Sequence, residues 1–179
     1  GHACVNPFDK QETMIELRRC FEEWGFHAIK LHPYYNGMEP ESSRYNAVFE
    51  YANTHGLTIL WHYGASATYL EMLASTYKNA NFVVAHYGGS WDGHSKDDIL
   101  ELVRDVDNIY TDTASSVAWY GAFEKLVDYV GAEKVLFGSD LVFLDAAFQL
   151  GRIIGADMER TEKEKVLGGN FKRLLAMKK

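Results

Sequence analysis

Two cysteines in 179 residues, Cys4 and Cys20, are too few for a zinc ribbon or a disulfide scaffold. One falls on a predicted strand and the other on a predicted helix, so both are read as reduced and packed, as free cysteines often are. No stretch approaches the ~18 consecutive apolar residues of a membrane span. No charged leader with an apolar core opens the chain, so no signal peptide is visible. A cytoplasmic protein with no membrane partner is the expectation. Basic residues are also short: 18 Lys and Arg stand against 25 Asp and Glu, for a formal net charge of −7. Without a basic stripe interleaved with aromatics, a nucleic-acid partner has no electrostatic footprint.

What is present is a core. The chain is 47% hydrophobic, with four Trp, eleven Tyr and ten Phe. That suffices for one sizeable interior, and two domains would each be small, so one domain over residues 1–179 is expected. Gly1 and His2 read as the scar of a removed tag, because the strand pattern starts at Ala3.

Six apolar runs recur, each ending in polar residues or glycine. They span Ala3–Pro7, Ala28–Pro33, Thr58–Gly64, Phe82–Gly89, Ile109–Ala114 and Val135–Leu141, and their starts lie 25, 30, 24, 27 and 26 residues apart. Helical patterns fill the intervals. Met14, Leu17, Cys20, Phe21 and Trp24 recur at helical spacing behind the cap Asp9 and its acid Glu12. Tyr45, Val48, Phe49 and Ala52 do the same before the stop at Gly56. Further helices fit Ala67–Tyr77, Asp97–Arg104, Ala122–Val130 and Ala146–Ile154. The last opens on a capping box at Thr161 and Glu164.

Strands alternating with helices at this interval read as parallel βα units, an α/β fold. Taken every second residue, one side of each strand is apolar and the other carries polar groups. Lys30 and His32 oppose Ile29 and Leu31; His62 and Leu60 oppose Ile59 and Trp61. His86 and Val84 oppose Val83 and Ala85; Asp140 and Leu136 oppose Val135 and Phe137. Strand ends are where parallel βα folds hold their chemistry. An open doubly wound sheet competes, but it usually shows a glycine-rich phosphate turn after its first strand, which ACVNPFDK lacks. The fold expected is a (β/α)8-type TIM barrel. A full barrel needs eight strands and ~250 residues, so about six βα units make an incomplete one.

The runs AIKLHP, ILWHYG, VVAHYGG and VLFGSDL, with the closing GGNFKRLL, resemble strands four, five, six and eight and the final helix of the amidohydrolase-related family. The branch resembled holds TIM-barrel metal-dependent hydrolases and aminocarboxymuconate-semialdehyde decarboxylase. The resemblance implies a divalent metal, zinc or alternatively manganese. It makes His62 and Asp140 metal ligands and His86 and Asp140 the groups that move protons. It implies hydrolysis of an ester, lactone or amide bond in a small carboxylate substrate, with decarboxylation of an unsaturated or aromatic acid as the close alternative. The family's strand-one His-x-His pair, which supplies two further ligands, is absent from this sequence. A non-catalytic fragment or oligomerising scaffold is therefore a rival reading, and the unpaired flanking strands predict a homo-oligomer.

Each site residue has a plainer reading beside it. His62 could be a core histidine satisfied by a carbonyl, His86 a turn-stabilising histidine, and Asp140 a cap for the turn at Leu141–Leu144. Lys30 either binds a substrate anion or pairs with an inward acid such as Asp112, whose direction the pattern leaves open. His32, nearer the rim, is a candidate substrate contact. Tyr87 and Trp91 fall in predicted loops and would join Tyr34, Tyr35 and Trp119 in an aromatic rim against the substrate.

Overall fold

The computed structural model describes residues 1–62, 65–89, 97–115 and 119–176. Six strands run parallel and lie side by side in sequence order: β1 His2–Cys4, β2 Ala28–Leu31, β3 Thr58–Trp61, β4 Asn81–Val84, β5 Ile109–Asp112 and β6 Val135–Leu136. Each is shorter than its apolar run. His32, His62, His86 and Asp140 therefore lie beyond the ends of their strands, whereas Lys30 stays within the ladder of β2. The sheet also starts one residue early, at His2, which pairs with Ala28.

The helices form where apolar spacing and caps agree. Helix α1, Lys10–Arg18, begins at Asp9, whose side chain accepts the Glu12 N–H at 2.9 Å, and continues as a wider turn over Arg19–Glu23. A short α2, Pro33–Asn36, follows β2. Helix α3, Asn46–His55, is entered through a tight turn at Ser43–Tyr45 and stops at Gly56 in a left-handed conformation. Helix α4 spans Ala67–Thr76, α5 Asp97–Asp105 and α6 Ala122–Val130. Helix α7, Ala146–Gly155, is capped by Asp145 through the Phe148 N–H. Helices α8, Arg160–Glu164, and α9, Asn170–Ala176, close the chain across a wide turn at Lys165–Gly169. The capping box there is Glu159 with Glu162, two residues before the pair expected from Thr161.

Residues from α1, α3, α4, α5, α6 and α7 share one core with Ile29, Leu31, Ile59, Trp61, Phe82, Val84 and Val135. These six helices thus cover one face of the sheet, and the unbroken strand order is that of a barrel rather than of a doubly wound sheet, whose order reverses. The opposite face holds a smaller cluster of Val83, Tyr110 and Leu136, on which Leu174 of α9 packs. His2 and Phe171 stack across this inner side, their ring centroids 6.1 Å apart. Cys20 is buried as expected, whereas Cys4 is exposed. Alternation explains the difference: Ala3 takes the covered face of β1, and Cys4 shares the uncovered face of this edge strand.

The inner and outer faces of β4 are the reverse of the expected ones. Phe82 and Val84 face the helices while Val83 faces inward, so strict alternation would send His86 outward. It points inward because the backbone after β4 leaves extended geometry altogether. His86, Tyr87, Gly88 and Gly89 have φ of 62, 54, 79 and 88°, four left-handed residues in succession.

Candidate active site

A cavity of about 640 Å³ opens on the inner face and is lined by, among others, Lys30, His86, Asp112 and Asp140. Its floor is apolar, from Leu60, Val83 and Leu136. The functional groups enter from the ends of β2 to β6, where the chain turns out of the sheet.

Three histidines stand in a row at one wall, and His86 is the one of them that lines the cavity. The His62 N–H donates to the Leu31 carbonyl at 2.9 Å, which sets the exit of β3 beside that of β2. The rings of His32 and His62 then stack, with centroids 3.8 Å apart and planes 11° from parallel. His62 Nδ1 lies 3.0 Å from His86 Nε2. The other ring nitrogen of His86, Nδ1, is hydrogen-bonded to the Ala114 carbonyl.

These contacts fix the protons. A carbonyl oxygen only accepts, so a neutral His86 carries its proton on Nδ1 and its Nε2 is a lone pair. His62 Nδ1 must then be the donor, which leaves His62 Nε2 as a lone pair with no partner among the described residues. Burial, reinforced by His32, His86 and Lys30, holds the pKa of His62 down to about 3, so this ring is neutral at ordinary pH. His32 is also lowered, by burial and by Lys30 and His86, and its Nδ1 is buried with no hydrogen-bond partner among the described residues.

Asp112 faces inward and lies beneath this wall. One carboxylate oxygen accepts the His86 N–H at 2.9 Å and the Ala114 N–H at 3.0 Å. Burial raises its pKa, against those two N–H donors and the nearby His86 and Lys30. It therefore ties the backbone of His86 to the carbonyl that receives the His86 ring. Gly88 donates its N–H to Thr111 Oγ1 at 2.8 Å, a second tether for the left-handed turn.

Lys30 is a half-buried cation on the cavity wall. Burial lowers its pKa, with Asp112 and then Asp140 acting in the opposite direction. Asp140 itself is left-handed, with φ 55°, and its carbonyl accepts the Leu144 N–H at 3.0 Å. The main chain thus closes the turn after Asp140, and its residue stays at the cavity rim. Gly138 allows the approach: a Cβ there would lie 2.7 Å from Ala114 Cβ and 3.3 Å from Asp112 Cγ.

One expected substrate contact, Tyr87, is placed otherwise. Tyr87 is 5% exposed, packs in the core on the helix side, and accepts a hydrogen bond from Arg152 at 2.9 Å. The left-handed backbone that turns His86 inward turns its neighbour away, so Tyr87 is no rim residue. Trp91 lies outside the described residues. Tyr34 and Tyr35 are exposed near His32, and the Tyr35 ring centroid is 4.2 Å from that of His32.

The donors suit a divalent ion in kind. His62 Nε2 is a neutral nitrogen with a lone pair, and Asp140 offers carboxylate oxygens, a set that zinc and manganese accept. They do not complete a site: among the described residues no three His, Cys, Asp or Glu side chains are arranged to hold a metal. Among the same residues no helix is long and apolar enough to cross a membrane.

A family model described as amidohydrolase matches residues 1–176. No curated protein matches the chain. Solved structures do. An uncharacterised TIM-barrel protein from Bordetella bronchiseptica is 16% identical with a TM-score of 0.77, covering 97% of this chain and 65% of its own. A 4-oxalomesaconate hydratase from Rhodopseudomonas palustris is 21% identical with a TM-score of 0.71, covering 97% and 61%. A dihydroxybenzoic acid decarboxylase from Polaromonas sp. JS666, with bound manganese and the inhibitor 2-nitroresorcinol, is 15% identical with a TM-score of 0.72, covering 94% and 66%. The chain thus spans between 61% and 66% of the length of these three. The shared fold is the (β/α) barrel, and the described residues supply six of its strands.

Proposed function

The chain belongs to the amidohydrolase family, and on that premise we propose that it is a metal-dependent enzyme acting on a small carboxylate substrate. The observation that supports this best is the Nε2 lone pair of His62, whose neutral ring contacts His86, which lines the cavity together with Asp140 and Lys30. His62 and Asp140 would hold the ion, zinc or manganese, leaving positions for water, substrate or further donors. When bound, a divalent ion there supplies Lewis acidity toward a carbonyl and toward water.

The chain's own residues do the rest. Lys30 binds the substrate carboxylate, its ammonium pre-set by the two acids beside it and strengthened by partial burial. His86 holds His62 in the tautomer that frees Nε2, and Asp112 holds His86. Asp140 accepts a proton at its carboxylate. His32 and the exposed Tyr35 line the approach. The apolar floor excludes water from below. The reaction class we put first is hydrolysis of an ester, lactone or amide.

Decarboxylation of an unsaturated or aromatic acid is the second reading. It is favoured by the structural likeness to a manganese-containing decarboxylase. Both readings use the same residues. Self-association through the edge strands β1 and β6 goes with either, since an unpaired strand invites a partner.

Elemental analysis of protein purified without chelators is the first test. About one zinc or manganese per chain in wild type, lost in His62→Ala, supports the assignment. A wild-type protein without metal that also takes up none from solution overturns it. A panel of lactones, esters and aromatic acids then separates the two chemistries, by acid release in one case and carbon dioxide release in the other.

A further inference from the structure

The geometry points to Arg152 as the positioning residue of this site, acting through Tyr87 and Ser115 to hold His86 in its single tautomer. The inference rests on the reading of His86 and His62 as site residues.

His86 and Tyr87 occupy left-handed backbone that L-residues avoid, so something outside the turn must hold it. Three tethers come from β5 and its exit: Asp112 to the His86 N–H, Thr111 to the Gly88 N–H, and the Ala114 carbonyl to the His86 ring. The fourth comes from helix α7 on the other side of the sheet. Arg152 Nη2 donates to the Tyr87 hydroxyl at 2.9 Å. Arg152 Nη1 donates to Gln149 Oε1 at 2.8 Å and to the Ser115 carbonyl at 3.4 Å. Gln149 Nε2 donates to that same Ser115 carbonyl at 2.8 Å.

One guanidinium therefore grips both partners of the ring bond that sets the tautomer. Tyr87 is the next residue after His86, which supplies the donor. Ser115 is the next residue after Ala114, which supplies the acceptor. If either side relaxes, His86 Nδ1 loses its carbonyl, either ring nitrogen can carry the proton, and His62 is no longer obliged to donate. The planar fork is what the task requires, because it reaches two acceptors in fixed directions. A lysine ammonium is a point charge on a flexible stem and cannot hold both.

The competing role is plain fold support, since buried hydroxyl and amide groups need partners wherever they lie. The two roles part at the His86 ring. Arg152→Lys and Tyr87→Phe are compared with wild type by nitrogen-15 NMR of the histidine rings at about pH 8, where an ordinary imidazole is neutral. Amide exchange at His86 is followed in parallel. Wild type is expected to show His86 as the Nδ1–H form alone. Both variants are expected to show a mixture of the two ring forms. Exchange at the His86 N–H should be about tenfold faster, the factor of one ordinary hydrogen bond, while amides of β2 and β3 stay protected.

A single unchanged His86 ring form in folded Tyr87→Phe and Arg152→Lys overturns the proposal. Should Arg152→Lys not fold, the isosteric Tyr87→Phe decides alone, because it removes one hydroxyl and nothing else. The ring spectrum does not depend on turnover, and it is compared in metal-stripped protein so that no ion on His62 affects it. An inactive, metal-free protein with the predicted ring response would sink the functional reading and leave the positioning role standing.

Discussion

His62 Nδ1 lies 3.0 Å from His86 Nε2, and when His86 is neutral with its Nδ1 proton directed at the Ala114 carbonyl the proton between them belongs to His62. Two rings on adjacent strand ends thereby define which nitrogen of His62 faces outward without a proton.

Metal affinity follows from that nitrogen. His62→Ala is expected to weaken zinc or manganese binding by at least about 100-fold, since even groups that only orient a ligand cost 10- to 100-fold. Calorimetric titration of each ion into metal-stripped protein measures it. Unchanged affinity in the variant would show that His62 is no ligand.

Asp112 is a structural anchor as much as a neighbour of the site. Asp112→Ala leaves the His86 and Ala114 N–H groups without their acceptor inside a buried turn. A loss of about 2–4 kcal/mol is expected from two hydrogen bonds to a charged group. Asp112→Asn keeps the one oxygen that accepts both bonds and should recover most of the loss, short of what the charge adds. Urea unfolding, with the slope checked for two-state behaviour, gives both values.

Gly138 permits the meeting of two strand ends. Gly138→Ala puts a methyl group 2.7 Å from Ala114 Cβ, closer than carbon atoms approach. Forcing them apart is expected to cost about 1–3 kcal/mol and to displace Asp140 and Ala114 together. Loss of stability without loss of metal binding would show that the displacement stops short of the site.

Lys30 is expected to act on substrate binding alone. Lys30→Met should raise KM by about 10- to 100-fold, the worth of one charge-assisted hydrogen bond, with kcat little changed. A variant that lost kcat at unchanged KM would place Lys30 in the chemical step. Steady-state kinetics on whichever acid or lactone the panel identifies settles the split.

Alkaline pH tests the core. Tyr45 is fully buried, donates to Asn36 Oδ1 at 3.2 Å, and has its pKa pushed up to about 12 by burial. Unfolded tyrosine ionises near pH 10, while the folded residue stays neutral to about 12. Its contribution is complete below pH 10 and is lost as pH rises toward 12. Tyr45→Phe should therefore show a shallower alkaline fall in stability than wild type, measured by urea unfolding across that range. Parallel curves would mean that Tyr45 is already hydrated.

The βα beat was legible because burial of one apolar face forces period two on strands and 3.6 on helices. Helix α6 and the starts of α1, α4, α5 and α7 followed from it directly. The inward side of β2, β3 and β6 was legible for the same reason. At β4 alternation failed, since a strand's parity says nothing about residues that leave extended geometry, and His86 is one of them. Two glycines after His86 and Tyr87 were the available sign. Tyr87 looked like a loop aromatic because its partner, Arg152, is 65 residues further along the chain. Asp112 was ambiguous because a buried acid in YTDTASS is equally at home on either face until the N–H groups it accepts from are known.

The strand order also sets how the chain can assemble in time. Each strand pairs with the next in sequence, at separations running from 23 residues (Thr58 to Asn81) to 30 (Ala28 to Thr58). Every step of sheet growth therefore closes a loop of one βα unit, and closure entropy rises only with the logarithm of length. Such a chain can grow by accretion from any nucleus, with local contacts favouring speed. The contact between His2 and Phe171 is the exception. It joins residues 169 positions apart, gains nothing until the intervening strands stand, and so is a late step in the packing of the inner face.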